Sequence, residues 1–220
     1  MHDVLRLERV RVAIQGAEVL RGVSLAIPAM GLAALVGRNG AGKTTTLRSV
    51  MGLLPLRDGQ ISLNGEKLGD LPPHRRAALG IGYVPEDRRL IGQLSVVDNL
   101  MLPAWAQGRA DMKKRLAHVY AIMPEVRALA TRKAAQLSGG QQKMVALARA
   151  LMSATKLLLL DEPFEGLSPG LGEKLAAVIC DVQRSGVAVL VAESDTKRVG
   201  FAEKIYTIER GEIMEEVSHH

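Results

Sequence analysis

The sequence predicts an α/β fold built on a mostly parallel sheet, and three features carry that prediction. An apolar strand at residues 31–36 runs directly into a glycine-rich loop and then a helix. A second strand, Leu157-Leu158-Leu159-Leu160, ends in Asp161-Glu162-Pro163. The last third alternates strand and helix patterns, an order that calls for parallel strands covered on both faces.

The first segment, to about Leu63, alternates apolar and polar residues in short runs at Val4 to Val12, Val19 to Ile27 and Ile61 to Leu63. Period-two runs broken by Gly and Pro read as an antiparallel β region. Gly31 to Val36 is the strand that enters the loop, and Lys43 to Met51 the helix that leaves it. From about Ser95 to Gln136 the chain becomes rich in Ala, Leu, Met, Lys and Arg, with Leu116, Val119, Tyr120 and Met123 at helical spacing. This reads as a helical insertion over approximately 95–137 within a single domain spanning 1–220, with Trp105 and Tyr120 as packing residues. A helix follows Leu137-Ser138-Gly139-Gly140 through Met152. Then come a strand at Lys156 to Leu160, a helix at Leu171 to Arg184 and a strand at Val187 to Ala192.

Composition narrows the class. The chain has 220 residues, 47% of them hydrophobic and 24% charged, so it can bury a sizeable core; aromatics are only 3%, so aliphatic chains must fill it. The net charge is +6, with basic residues in runs at Arg75-Arg76, Arg88-Arg89 and Lys113-Lys114-Arg115. A solvated surface, an anionic membrane face and nucleic acid are all open to such a balance. Few aromatics lie between the basic residues, which weakens the single-strand nucleic-acid reading.

Cys180 is the only cysteine, so no internal disulfide can form and a reducing compartment fits. Its neighbours Leu175, Val178 and Ile179 predict a buried site. Met1-His2-Asp3 does not open a secretory signal, and no apolar run is long enough to cross a bilayer. A soluble, cytoplasmic chain is expected, with any membrane crossing left to another subunit. His2, His74 and His118 lack neighbours at metal spacing, and His219-His220 reads as a tag remnant.

Three motifs carry chemistry. Gly37-Arg38-Asn39-Gly40-Ala41-Gly42-Lys43-Thr44 matches G-x-x-x-x-G-K-[ST] in full, followed by Thr45. Glycines let backbone N–H groups close around phosphate oxygens, and the helix beginning near Lys43 adds its positive end. Lys43 is placed to reach the β and γ phosphates of ATP, and Thr44 to ligate Mg²⁺. A strand ending in Asp161-Glu162 could by itself be a solvated turn. Downstream of a phosphate loop, Asp161 becomes a candidate for the Mg²⁺ shell and Glu162 the candidate base for attack on the γ phosphate. Between the two lies Leu137-Ser138-Gly139-Gly140-Gln141. Ser138 reads as an N-cap, and the glycines expose backbone N–H groups at a second anion-binding helix end. Two such ends in one chain point to nucleotide shared between two chains.

The order of these three motifs resembles the ATPase subunits of ABC transporters across nearly the whole chain. Finer stretches, Gly37 to Thr46, Gly80 to Arg89 and Arg149 to Met152, resemble the ATPase subunits of bacterial branched-chain amino acid importers and their urea and amide relatives. The resemblance implies an ABC-type P-loop NTPase that hydrolyses ATP with Mg²⁺. It implies a head-to-tail homodimer, or a heterodimer with a paralogous ATPase, in which Ser138, Gly139, Gly140 and Gln141 face the partner's ATP. It further implies a groove beside the helical insertion for integral-membrane permease subunits, and a location peripheral to the inner face of the cytoplasmic membrane, with no nucleic-acid partner. A slow-hydrolysing regulatory module and a soluble ABC protein acting on nucleic acid are the alternatives.

Four positions depart from the wider family. The usual glutamine after Tyr-Val-Pro is Glu86, still able to ligate Mg²⁺ through oxygen, with Arg88 or Arg89 expected to offset its charge. The switch histidine aligns with Ser194, which can hydrogen-bond phosphate but brings no positive charge. The aspartate after Gly-Leu falls on Ser168. The aromatic that commonly stacks on adenine is replaced by Ala13-Ile14, so Ile14 would offer only apolar contact to the base.

Overall fold

The protein is described from a computed structural model covering residues 3–106, 108 and 110–218. His2 and the His219-His220 pair lie outside the described residues.

Two sheets organise the chain. In the first, β2 (Ala17–Pro28), β1 (Asp3–Ile14), β4 (Asp58–Leu63) and the short β5 (Glu66–Lys67) pair antiparallel in that order. The second holds six strands in the order β10 (Glu212–Ser218), β9 (Lys204–Glu209), β3 (Leu32–Val36), β8 (Ala188–Glu193), β7 (Leu157–Asp161) and β6 (Ile81–Val84). All its neighbours run parallel except the β9–β10 hairpin. The carboxyl ends of β3, β6, β7 and β8 therefore open on one edge, where parallel α/β sheets present ligands.

The uninterrupted leucines of β7 have a clear logic. Side chains alternate across a strand, so Leu157 and Leu159 enter one core and Leu158 and Leu160 the other. One core lies between the two sheets and includes α1 (Lys43–Val50). Helices build the other: α3 (Val96–Ala106), α4 (Met112–Ile122), α5 (Pro124–Ala128), α6 (Gly139–Leu151) and α7 (Pro169–Arg184), while α2 (Pro73–Ala78) precedes β6. A strand buried on both faces has no polar side to show. Tyr206 of β9 ties the sheets together: its hydroxyl donates to the Ala26 carbonyl at 2.7 Å and accepts the Ala26 N–H at 3.0 Å.

Val119 and Met123 are fully buried, with Leu116 and Tyr120 packed partly against them, as helical spacing predicts. Two expectations need correction. Trp105 is 51% exposed instead of packed, because α3 turns that position outward while Leu100 and Ala104 face the core. Cys180 is only half-buried, at the border of the apolar face of α7 formed by Leu175, Val178, Ile179 and Val182.

Candidate nucleotide site

The loop between β3 and α1 is held by its surroundings as well as by its own glycines. A Cβ on Gly37 would lie 2.3 Å from the Ile208 carbonyl oxygen, so only glycine fits there. Gly42, at φ 116°, occupies backbone space that side chains rarely enter. The Gly211 N–H donates to the Ala41 carbonyl at 2.8 Å and pins the loop from β9–β10. Helix α1 starts without a side-chain cap or an acid in its first turn. Its first N–H groups and positive end are thus left for an anion.

Lys43 is only 5% exposed. Its Nζ donates to the carbonyls of Gly37 (2.7 Å) and Arg38 (3.3 Å) and to Ser194 Oγ (3.2 Å), and pairs with Glu162 Oε1 at 3.0 Å. Ser194 Oγ lies 2.6 Å from Glu162 Oε1 and 2.8 Å from Asn39 Oδ1. With one hydroxyl proton it serves one oxygen at a time, and the carboxylate is the stronger acceptor. Burial by itself would raise the Glu162 carboxyl, but the hydrogen bonds from Ser194 and Lys43 outweigh it and hold the group below the usual carboxylate range.

Asp161 closes the other side. Thr44 Oγ1 donates to its Oδ1 at 3.0 Å and the Tyr83 hydroxyl to its Oδ2 at 3.2 Å. Burial raises the Asp161 carboxyl despite these two donors, and the nearby Glu86 and Glu162 charges add to the rise. Burial beside Asp161 raises the Tyr83 phenol as well, so Tyr83 acts as a donor. Such a site favours a cation among its oxygens. Among the described residues no group of three His, Cys, Asp or Glu gathers to hold a metal. The oxygens of Thr44, Asp161 and the exposed Glu86 are a partial hard-donor set, which fits Mg²⁺ because Mg²⁺ also takes phosphate and water oxygens.

Lys43, Thr44, Glu162 and Ser194 line a cleft of about 560 Å³ with Val19, Asn39, Gly40, Gly42, Thr45, Glu86 and Asp195, and Asp161 joins it through its hydrogen bond from Thr44. Gly37, Arg38 and Ala41 form the loop without lining the cleft. Ile14 stands at the end of the β1–β2 hairpin, paired with Ala17 and 37% exposed, and Val19 supplies apolar surface to the cleft in its place. Among the described residues no ion pair joins Glu86 to Arg88 or Arg89: Arg89 Nε is taken by the Asp87 carboxylate, and Arg88 Nη1 donates to Gln142 Oε1 at 3.1 Å. Ser168 sits at the N-cap of α7 and makes no capping hydrogen bond.

The signature is structurally separate. Ser138 Oγ accepts the Gln141 N–H at 3.2 Å, and Gln141 Oε1 accepts the Ser138 N–H at 3.0 Å, a reciprocal cap at the start of α6. None of Ser138, Gly139, Gly140 and Gln141 lines the cleft. A Cβ on Gly139 would meet only the Arg88 guanidinium, at 3.4 Å, so the chain's own packing does not demand glycine there.

Sequence reasoning overlooked Tyr83, Lys143 and Glu193. Tyr83 lies in a motif already singled out. Glu193 had a faint signal, a charge closing an otherwise apolar strand, and Lys143 had none.

A glycine loop, an open helix end and two carboxylates converging at the carboxyl edge of a parallel sheet define a P-loop nucleotide site on an ABC-type frame. A family model described as ABC transporter matches residues 20–165. The chain belongs to that family and is an ABC ATPase, an ATP-binding subunit of a transporter. It is 38% identical over 178 residues to the probable branched-chain amino acid transport ATP-binding protein LivF of Archaeoglobus fulgidus, covering 81% of this chain and 74% of the relative. It is 32% identical over 212 residues to the high-affinity branched-chain amino acid transport ATP-binding protein BraG of Pseudomonas aeruginosa, covering 96% and 91%. The lipopolysaccharide export system ATP-binding protein LptB of Escherichia coli is 33% identical over 205 residues, covering 92% and 85%. Among solved structures, the dimeric bacterial ABC transporter cassette MJ0796 superposes with a TM-score of 0.87 at 27% identity, covering 97% of this chain and 98% of that one. The same cassette in a post-hydrolysis state with ADP and Pi gives 0.86 at 28% identity.

Proposed function

We propose that this chain is the ATP-hydrolysing subunit of a bacterial importer for branched-chain amino acids or similar small polar solutes, peripheral to the inner face of the cytoplasmic membrane. The observation that carries the site reading is the meeting of Lys43, Glu162 and Ser194 from three strand ends in one cleft, with Asp161 hydrogen-bonded to its Thr44. Backbone N–H groups of the loop and Lys43 bind the ATP phosphates. Thr44, Asp161 and Glu86 would hold Mg²⁺, which when bound spreads the charge of the transferring phosphoryl group. Glu162 accepts the proton of the attacking water as the bond between the γ phosphorus and the bridging oxygen breaks, releasing ADP and phosphate. Ser194 orients Glu162 and supplies no charge, which favours slow turnover.

The separate signature supports a shared nucleotide. Gly139 is glycine without a reason inside its own chain, as expected where a phosphate of a partner's ATP approaches the start of α6. We read residues 95–137 as a helical insertion within one ATPase domain spanning 1–220. A groove of about 590 Å³ runs between that insertion and the first part of the chain, lined by Met51, Leu53, His74, Tyr83, Pro103, Ala106 and Arg149. Trp105, between two lining residues, is half exposed. A half-apolar groove rimmed by Arg75 and Arg149 suits a short helix of a permease subunit. No helix among the described residues is long and apolar enough to cross a membrane. LivF and BraG support the importer reading. LptB, at similar identity, serves another cargo by name, and the cargo is set by the membrane subunits.

Glu162→Gln tests the site: it keeps binding and removes the proton acceptor, so with Mg-ATP the variant elutes as a dimer on gel filtration. Monomer alone, with and without a candidate paralogous ATPase, counts against the shared site. Identifying the co-purifying permease tests the cargo, and permease subunits of a lipid exporter overturn the importer reading.

A further inference from the structure

The turn that carries Glu162 is gripped from two sides by buried ionisable side chains that the hydrolysis chemistry does not itself use. Lys143 of α6, 8% exposed, donates through Nζ to the carbonyls of Glu162 and Pro163, both at 3.2 Å, and to that of Glu165. Glu193, at the end of β8 and fully buried, accepts the Phe164 N–H through Oε1 at 2.9 Å. Its Oε2 has no hydrogen-bond partner among the described residues, and Arg198 Nη1 stands 3.8 Å away. Glu162 itself sits at φ 47°, in the left-handed region that a side chain enters only when its surroundings compel it. Its N–H is held by the Ala192 carbonyl of β8 at 3.0 Å.

We propose that Lys143 and Glu193 are positioning residues that clamp the 162–165 turn between α6 and β8 and so aim the Glu162 carboxylate into the cleft. The proposal rests on reading Glu162 as the group that takes the proton from water. A buried ammonium satisfied by three carbonyls is costly to leave out, because each carbonyl loses its partner together with the charge. Glu193 does the converse for the Phe164 N–H, beside the Glu162 N–H that the Ala192 carbonyl of β8 already holds. Lys143 lies five residues beyond Ser138 on one continuous helix. Any shift of α6 caused by a ligand at Ser138–Gln141 therefore moves the group that holds the Glu162 turn. The clamp links the signature to the chain's own carboxylate.

The test measures Mg-ATP turnover and binding of a fluorescent ATP analogue by the full chain in Glu193→Leu, Glu193→Gln and Lys143→Met. Glu193→Leu and Lys143→Met are expected to lose roughly tenfold or more in kcat while nucleotide affinity stays within about threefold, the signature of a misplaced catalytic group. Glu193→Gln, whose amide oxygen still accepts the Phe164 N–H, is expected to stay within about threefold of the parent kcat. Wild-type kcat in either of the first two, or a Glu193→Gln loss equal to that of Glu193→Leu, overturns the clamp. If Lys143→Met does not fold, Lys143→Gln replaces it with the same expected loss and the same refuting result. Crystal structures give a readout independent of turnover: the turn leaves its place in Glu193→Leu and keeps it in Glu193→Gln, and an unmoved turn in Glu193→Leu overturns the proposal. Glu162→Gln separates the two readings. Full turnover in that variant removes the role of Glu162, whereas its loss together with an unaffected Glu193→Leu removes the clamp alone.

Discussion

Ser194→Ala probes how far a neutral hydroxyl can serve at the position where the family places a histidine. The substitution removes three contacts of Ser194 Oγ: the 2.6 Å approach to Glu162 Oε1, the 2.8 Å approach to Asn39 Oδ1 and the 3.2 Å hydrogen bond from Lys43 Nζ. A hydrogen bond to a charged acceptor contributes about 1.5–3 kcal/mol. Ser194 is an exposed residue, so water replaces part of that, and about 1.5 kcal/mol is the appropriate figure, or roughly tenfold in kcat. ATP affinity is expected to hold, since Lys43 retains its loop carbonyls and the loop is untouched. A second effect has a definite sign. Burial pushes the Glu162 carboxyl up, and Ser194 and Lys43 pull it down. Without Ser194 it rises, so activity, which needs Glu162 ionised, is lost at a higher pH as the solution is made acid. The assay is steady-state phosphate release between about pH 5 and 9, with nucleotide affinity measured in parallel. An unchanged kcat with an unmoved acid limb, or a loss carried wholly by KM, refutes the reasoning.

Three further outcomes follow from the same geometry. Gly139→Ala meets only an ordinary contact with Arg88, so its melting temperature should match or slightly exceed the parent's while ATP-dependent dimerisation in the Glu162→Gln background weakens; an unweakened dimer would show that no phosphate approaches that site. Gly211→Ala places a Cβ 2.0 Å from the Val19 carbonyl oxygen at φ 83°, and thermal melting should register a loss of about 2 kcal/mol or more; a parental midpoint contradicts it. Burial pushes the Glu193 carboxyl from 4.5 up to about 7, so the stability tied to its neutral form is complete below 4.5 and lost as pH rises through about 7. Glu193→Gln has no such loss and should gain ~1–3 kcal/mol on the parent between about pH 5 and 8 by denaturant titration; a constant difference over that range disproves the assignment.

Much of this protein was readable from local sequence. The loop at 37–44, the cap at Ser138 and the strand ending in Asp161-Glu162 each depend on conformations set by residues a few positions apart, and residue type reports those directly. The four leucines of β7 announced a strand buried on both faces. What local pattern cannot express is which strand end lies beside which. Ser194 meets Lys43 and Glu162 because β8 lies between β3 and β7, and near-uniform apolar strands carry no periodic mark of their neighbours. The same absence hid Tyr83 against Asp161 and Lys143 against the Glu162 turn. It misplaced Trp105 and the partners of Arg88 and Arg89, since exposure and ion pairing belong to surfaces assembled from distant segments. Sequence by itself determined the local form of the loop, of the capped signature and of the strand that ends in the carboxylates. Only the tertiary structure decided that a serine, a lysine and a glutamate converge, because side-chain contacts across a parallel sheet follow strand order, and strand order is set by packing far from the residues that meet.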